Sequence, residues 1–239
     1  MIRIKFIYFI LNFFDFFQQK KVLKFLKKRI SHNSILFDVG AHHGETIFNF
    51  KKNFKFDQIH SFEASEINFK ILKKKITNLD NKKFLINNFG LSDKNRILQI
   101  NQSSDSASST LSKINSFSKY YKKKIKILGI SDDKEYIRPL EVKLIQLDDY
   151  ILEKKLKRID LLKIDTEGHE YYVLKGALKN LPKIKYIYFE HHYDDMLIKG
   201  YKFSNIHDLL KSNNFNMILK SKMYFRKTFE YVYENSNLN

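Results

Sequence analysis

The chain has no cysteine and no tryptophan, and only two prolines and seven glycines in 239 residues. Without a thiol there is no disulfide, no thiolate metal site, no iron–sulfur ligation and no cysteine nucleophile. That excludes cluster-borne radical chemistry and attack on a base through a thiolate. No proline- or glycine-rich linker divides the chain, and a hydrophobic content of 43% suffices for one substantial core. The pattern predicts one domain over residues 31–239 behind a helical extension, residues 1–30. Acids are also in deficit, 26 against 44 basic residues, for a net charge of +18. Such a balance suits nucleic acid or an anionic surface. Arginine is scarce, however, at six of the 44 basic residues. The lysines come in short scattered groups such as Lys73–Lys75 and Lys122–Lys124, without the base-reading arginines or interleaved aromatics of a nucleic-acid groove. A solvated basic surface is the favoured reading.

The N-terminal stretch from Met1 to Phe17 is apolar and aromatic behind Arg3 and Lys5, in the manner of a secretory leader. Asn12 and Asp15 interrupt it, no small-residue cleavage site follows, and it is shorter than the ~20 residues that span a bilayer. From Gln18 to Ile30, residues Val22, Leu23, Leu26 and Ile30 share one helical face with lysines opposite. That face either packs over the edge of a sheet or rests on an anionic membrane surface. The expectation is a cytoplasmic protein, with peripheral membrane contact through residues 1–30 as the second possibility.

Beyond the extension, short apolar runs alternate with amphipathic ones. Strands are predicted at Ile35–Val39, Gln58–Phe62, Phe84–Phe89, Asp160–Ile164 and Lys185–Phe189, with helices from about Glu45, Glu66, Asp148, His169 and Asn205. Strands near Met217–Leu219 and Phe229–Tyr233 close the chain. Ser65 is a candidate helix cap, because its hydroxyl can accept from an otherwise unpaired N–H. Strands Arg96–Ile100 and Val142–Leu147 flank a polar insertion. Its Ser-rich part, Ser103–Ser112, is either a loop that orders over substrate or a plain surface loop. Alternation with continuous apolar strands implies a parallel α/β sheet covered on both faces, and ligands bind outside the carboxyl edge of such a sheet.

Chemistry-bearing residues gather where those strands end. Phe37-Asp38-Val39 runs into Gly40-Ala41-His42-His43-Gly44, a strand, tight turn and helix start. The turn lacks the Gly-x-Gly-x-x-Gly that a pyrophosphate needs, so it suits a cofactor without phosphates, or a merely structural turn. Glu63 ends the second strand, where an acid can accept from both hydroxyls of a ribose. Ile164-Asp165-Thr166-Glu167-Gly168 carries two acids to a strand tip. They serve either as groups that align and deprotonate a substrate hydroxyl or as caps of the following helix. Glu170 fits a first-turn acid, and His169 is expected outside the cleft. Glu190-His191-His192 adds a third polar edge. His42, His43, Glu190, His191 and His192 lack metal-ligand spacing, so no metal is expected.

These motifs, with Leu91-Ser92-Asp93, Leu147-Asp148-Asp149 and Leu174-Lys175-Gly176-Ala177, resemble the FkbM-type family of S-adenosylmethionine-dependent methyltransferases over roughly Ser34 to Glu190. One departure is His42, where relatives usually carry Asn. The resemblance implies a Rossmann-like class I methyltransferase fold, a mostly parallel seven-stranded sheet with helices on both faces and an antiparallel last strand. It implies S-adenosyl-L-methionine held by Asp38, Gly40, Ala41, His42, Gly44, Glu63 and Asp93, with Asp165, Glu167 and His192 as catalytic candidates. It also implies methylation of a hydroxyl, on a sugar of a glycan or lipopolysaccharide or on a small molecule. Methylation of an exocyclic base amine is disfavoured, since Asp165-Thr166-Glu167-Gly168 stands where that chemistry places Pro-Pro and an aromatic residue. An RNA ribose methyltransferase and a non-catalytic protein of the same fold are the competing readings. Salt-sensitive RNA binding would mark the first, and failure to bind a nucleoside cofactor the second.

Overall fold

The computed structural model describes residues 19–80, 82–103, 108–130, 136–224 and 227–238. The apolar stretch from Met1 to Phe17 therefore lies outside the described residues, as do residues 104–107 of the Ser-rich segment. Residues 19–27 form helix α1. There follow β1 (Ser34–Val39), α2 (Glu45–Asn53), β2 (Phe56–Phe62), α3 (Glu66–Ile76), β3 (Phe84–Asn87), β4 (Gly90–Leu91), β5 (Arg96–Ser103), β6 (Lys113–Ile114), α4 (Lys119–Leu128) and β7 (Ile137–Ile145). The second half holds α5 (Leu147–Glu153), β8 (Ile159–Ile164), α6 (Glu170–Lys175), β9 (Ile184–His192), β10 (Leu197–Ile198), α7 (Phe203–Ser212), β11 (Phe215–Lys222) and β12 (Thr228–Asn235).

Seven strands form the central sheet in the order β11-β12-β9-β8-β1-β2-β3. The five from β3 to β9 are parallel, and β12 runs antiparallel to both of its neighbours. This is the mostly parallel seven-stranded sheet implied above, with its last strand reversed. Side chains alternate across it. Phe37, Val39, Leu162, Ile164, Ile187 and Phe189 pack on one side with Tyr150, Val173 and Leu210 from α5, α6 and α7. Leu36, Ile59, Leu161 and Tyr186 pack on the other with Ile47, Phe50 and Leu72 from α2 and α3.

The face predicted at Val22, Leu23, Leu26 and Ile30 is buried in that second layer. Val22 and Leu26 are wholly shielded from solvent. Burial of each side chain of this size contributes about 1.5–3 kcal/mol, so this stripe is part of the core. No helix among the described residues is long and apolar enough to cross a membrane.

Two departures concern the middle of the chain. The strand expected over Phe84–Phe89 ends at Asn87, and Gly90-Leu91 leaves the central sheet to pair with β7. The segments expected merely to flank an insertion form a separate three-stranded sheet, β4-β7-β5, in which β5 and β7 pair antiparallel along eight residues. Helix α3 begins as anticipated, with Ser65 Oγ accepting the Asn68 N–H at 3.3 Å. Helix α5 is fastened by Asp148, whose carboxylate accepts the backbone N–H groups of Lys179 (3.1 Å) and Asn180 (3.0 Å).

Candidate active site

A cleft opens at the carboxyl edge of β1, β2 and β8. Gly40, His42, Glu63, Asp165 and Glu167 line it, with Leu91, Ile100 and Leu144 as an apolar wall. The turn after β1 is tight because the Gly40 and Ala41 N–H groups both donate to Phe62 O at 3.0 Å. Gly40 has φ +84°, and a Cβ there would stand 1.9 Å from Asp165 O, so no side chain fits. His42 also lies in the left-handed region, φ 47°, which His tolerates better than most residues.

Glu63 joins this turn to the next strand. Its Oε2 accepts the His42 N–H at 2.7 Å and its Oε1 accepts the Ser65 N–H at 2.8 Å. Burial raises its carboxyl above the ordinary value, while the two N–H donors pull it back. The Asn68 side chain also hydrogen-bonds this carboxylate, which offers about four lone-pair sites, so acceptor capacity is left for one ligand donor.

The other cofactor candidates fare differently. Ala41 and Gly44 shape the turn without lining the cleft: Ala41 is in the α2–α3 core, and Gly44 caps α2 with φ +90°. Asp38 does not line it either. Its side chain points into the α1–α3 layer, fully buried and 3.5 Å from Lys163 Nζ, with neither oxygen hydrogen-bonded. Alternation along β1 is the cause, since the residue that reaches the cleft is Val39. Asp93 also stands apart, held at 2.9 Å by Arg96 and at 3.0 Å by Ser92 Oγ, because an oppositely charged partner three residues on captures it. His169, expected outside, is in the cleft wall, where Ser92 Oγ lies 2.9 Å from its Nε2. Burial pushes its pKa down to about 4, so it is neutral.

At the tip of β8 the turn is held from below and from the following helix. Lys163 Nζ donates to Thr46 Oγ1 at 2.8 Å and to Asp165 Oδ2 at 3.2 Å. Burial would lower its pKa, but Asp165 and Asp38 raise it above the ordinary value, so the buried cation persists. Glu170 is the helix-start acid: its Oε1 accepts the Gly168 N–H at 2.9 Å and the Thr166 hydroxyl at 3.0 Å. Asp165 and Glu167 are thereby free of the capping role.

Glu167, in the left-handed conformation at φ 49°, directs Oε2 to within 3.4 Å of His192 Nε2. Glu190 Oε1 lies 3.5 Å from the same nitrogen, and Asp194 Oδ2 3.7 Å from Nδ1. Burial would drive His192 down, yet Glu167, Asp194 and Glu190 together push it up to about 10, so it is an imidazolium at neutral pH. Burial raises the Glu167 carboxyl, partly offset by His192. His191 points the opposite way, among Tyr193, Tyr201 and Phe203, and its pKa falls to about 3 through burial. Sequence reasoning missed Lys163 and Asp194. Their signals were a lysine inside an apolar strand and an acid two residues beyond His192.

The structure disperses the histidines. His42 and His43 stack at 3.7 Å beside Glu45, His192 joins the carboxylates, and His191 faces the other layer. Among the described residues only His42, His43 and Glu45 bring three possible metal-ligand atoms within 4.8 Å of one another. Glu45 there already pairs with Lys75 at 3.5 Å.

The Methyltransferase FkbM domain matches residues 38–217. No curated protein matches the chain. Among solved structures, methyltransferase FkbM from Methylobacillus flagellatus is similar over 85% of this chain, with a TM-score of 0.53 at 13% identity; the chain spans only 43% of that protein. TrmK of M. capricolum, solved with S-adenosyl-homocysteine, is similar over 90% of this chain and 67% of its own, with a TM-score of 0.51 at 12% identity. An rRNA methylase from Streptococcus thermophilus is similar over 91% of this chain and 96% of its own, with a TM-score of 0.51 at 10% identity. With the domain match extending over most of the length, from the end of β1 into β11, the chain belongs to the FkbM methyltransferase domain family.

Proposed function

We propose that this methyltransferase transfers the methyl group of S-adenosyl-L-methionine to a hydroxyl oxygen, on a sugar of a glycan or lipopolysaccharide. The residues present fit the cofactor. Glu63 keeps acceptor capacity for the ribose, the glycine turn admits close approach, and the Leu91–Ile100–Leu144 wall suits an adenine ring. When bound, the cofactor supplies an electrophilic methyl group on a positively charged sulfur, a charge that Asp165 at the cleft edge favours.

The observation that carries the oxygen assignment is the pair Glu167–His192. An alcohol is barely acidic in water, so its attack is helped by a nearby base. Glu167 is placed for that role: burial raises its carboxyl above the ordinary value, and His192 Nε2 lies 3.4 Å from it. Glu167 accepts the hydroxyl proton as the oxygen attacks. His192, already protonated, orients it and steadies the local charge; Asp165 holds the cofactor side of the tip. The test is methyl transfer from labelled cofactor into fractionated cell extract. Label in glycan hydroxyls supports the assignment, and label confined to RNA or to an amine overturns it.

RNA is the second reading, favoured by the net charge of +18 and by the fold shared with TrmK and the rRNA methylase. It predicts RNA binding whose affinity falls steeply with salt.

A further inference from the structure

The segment from Ser109 to Asn115 crosses the catalytic edge as a strap. Thr110 is bridged to Asn101 of β5 by two backbone hydrogen bonds, 2.9 and 3.1 Å, and Asn101 Nδ2 also donates to Ser112 O at 3.0 Å. At the far end β6 pairs with β10, and the Asn115 N–H donates to Met196 O at 2.8 Å. Between those anchors the strap grips the turn that carries Glu167. Thr110 Oγ1 donates to Glu167 O at 2.5 Å, and Ser112 Oγ donates to Gly168 O at 2.9 Å.

The grip falls on consecutive residues in the left-handed region, Glu167 at φ 49° and Gly168 at φ +94°. For a non-glycine residue that conformation is costly and persists only where the surroundings impose it. Gly168 is enclosed as well: a Cβ would stand 2.9 Å from Ser112 Oγ, 3.0 Å from Lys199 and 3.2 Å from Leu197. Glu170 secures the same turn through the Gly168 N–H, but no bond from Glu170 reaches the Glu167 carbonyl.

We propose that the strap is a built-in clamp, and that Thr110 is a positioning residue that holds Glu167 in its strained conformation and so aims its carboxylate at His192. Ser112 assists by fixing the next carbonyl. The inference rests on reading Glu167 as the base and adds what keeps it in place. The clamp also contributes to the cleft itself, since Ser109, Thr110 and Leu111 form part of its wall.

His192 reports on the clamp without any acceptor. Facing its ring are Glu167 and Glu190 on one nitrogen, Asp194 and the Thr228 hydroxyl on the other, and Glu170 further off; Lys199 donates to its backbone carbonyl. The experiment is an NMR titration of the histidine rings in the full chain. Glu167→Gln should lower the His192 midpoint by ~1–3 pH units, the range for loss of an adjacent opposite charge. Thr110→Val removes the hydroxyl at nearly constant volume and should lower it in the same direction, whereas Thr110→Ser should leave it in place. An unchanged midpoint in Thr110→Val, with Glu167→Gln shifted, overturns the clamp. An unchanged midpoint in Glu167→Gln overturns the Glu167–His192 pair beneath it. Should Thr110→Val fail to fold, Ser112→Ala is read by the same criterion, a lowered midpoint supporting the clamp and an unchanged one overturning it.

Discussion

Replacing Glu63 by glutamine tests the proposed ribose contact. The two carboxylate oxygens accept N–H groups from two different segments, His42 at 2.7 Å and Ser65 at 2.8 Å. Glutamine is nearly the same size but has one oxygen and one NH2, so one of those donors must face another donor. The variant also loses the negative charge that makes its remaining acceptor sites attractive to ribose hydroxyls. Hydrogen bonds to a charged group are worth about 1.5–3 kcal/mol, and at 1.4 kcal/mol per tenfold the affinity for S-adenosylmethionine should fall roughly 10- to 150-fold. Isothermal calorimetry measures this directly, with the melting temperature of the variant recorded beside it. A folded Glu63→Gln protein that binds the cofactor as tightly as the parent would refute the ribose assignment and leave Glu63 as a strut between β1 and β2.

Glu167→Gln should lower the methyl-transfer rate by about 10²–10⁴-fold, the range for general-base assistance, with cofactor affinity nearly intact by calorimetry. Lys163→Met should cost about 3–5 kcal/mol in denaturant unfolding, because it leaves the buried Asp38 without its cation, and Asp38→Asn in the same chain should restore much of that loss. His192 gives a pH signature: its folded pKa of about 10 is above the ordinary 6.5, so its stabilisation is complete below pH 6.5 and is lost as pH rises through 10. A gap in melting temperature between the parent and His192→Gln that stays constant across that window would contradict the ion pairs. Leu26→Ala should lower stability by about 2–5 kcal/mol as a core truncation, measured by denaturant midpoint; a loss near zero would mean that α1 is not part of the folded core.

The central sheet was legible because its strands are continuous apolar runs bounded by turn residues. Ile159–Ile164 and Ile184–Phe189 leave little choice between strand and helix at that length. Two strands of the side sheet were placed, at Arg96–Ile100 and Val142–Leu147, but their pairing was not, because periodicity marks a strand without saying which strand it meets. Nothing local in Asn88-Phe89 signals that the chain is leaving one sheet for another. His169 was misplaced for a related reason: its spacing puts it at a helix start, and only tertiary contact with Ser92 turns it inward. Asp93 is taken up by Arg96 through a bend into β5, a pairing that spacing does not announce outside a helix.

The acids of the site separate by a similar geometric logic. Along β1 and β8, Asp38 and Lys163 are opposite one another in register, and Tyr188 is opposite Lys163 on β9. All three enter the same layer, and the Tyr188 hydroxyl continues the row by donating to Glu230. This row is one level beneath the cleft, where water does not compete, so each charge in it must be answered by another. Lys163 answers Asp38 and Asp165 together, which ties Asp165 to the floor of the sheet. Glu167, two residues on, has left the strand and takes no bond from that floor; its carbonyl is gripped by Thr110 from the insertion. Two acids with a single residue between them are therefore held by different parts of the fold. Changes in the floor should be felt through Asp165, while changes in the insertion should be felt through Glu167.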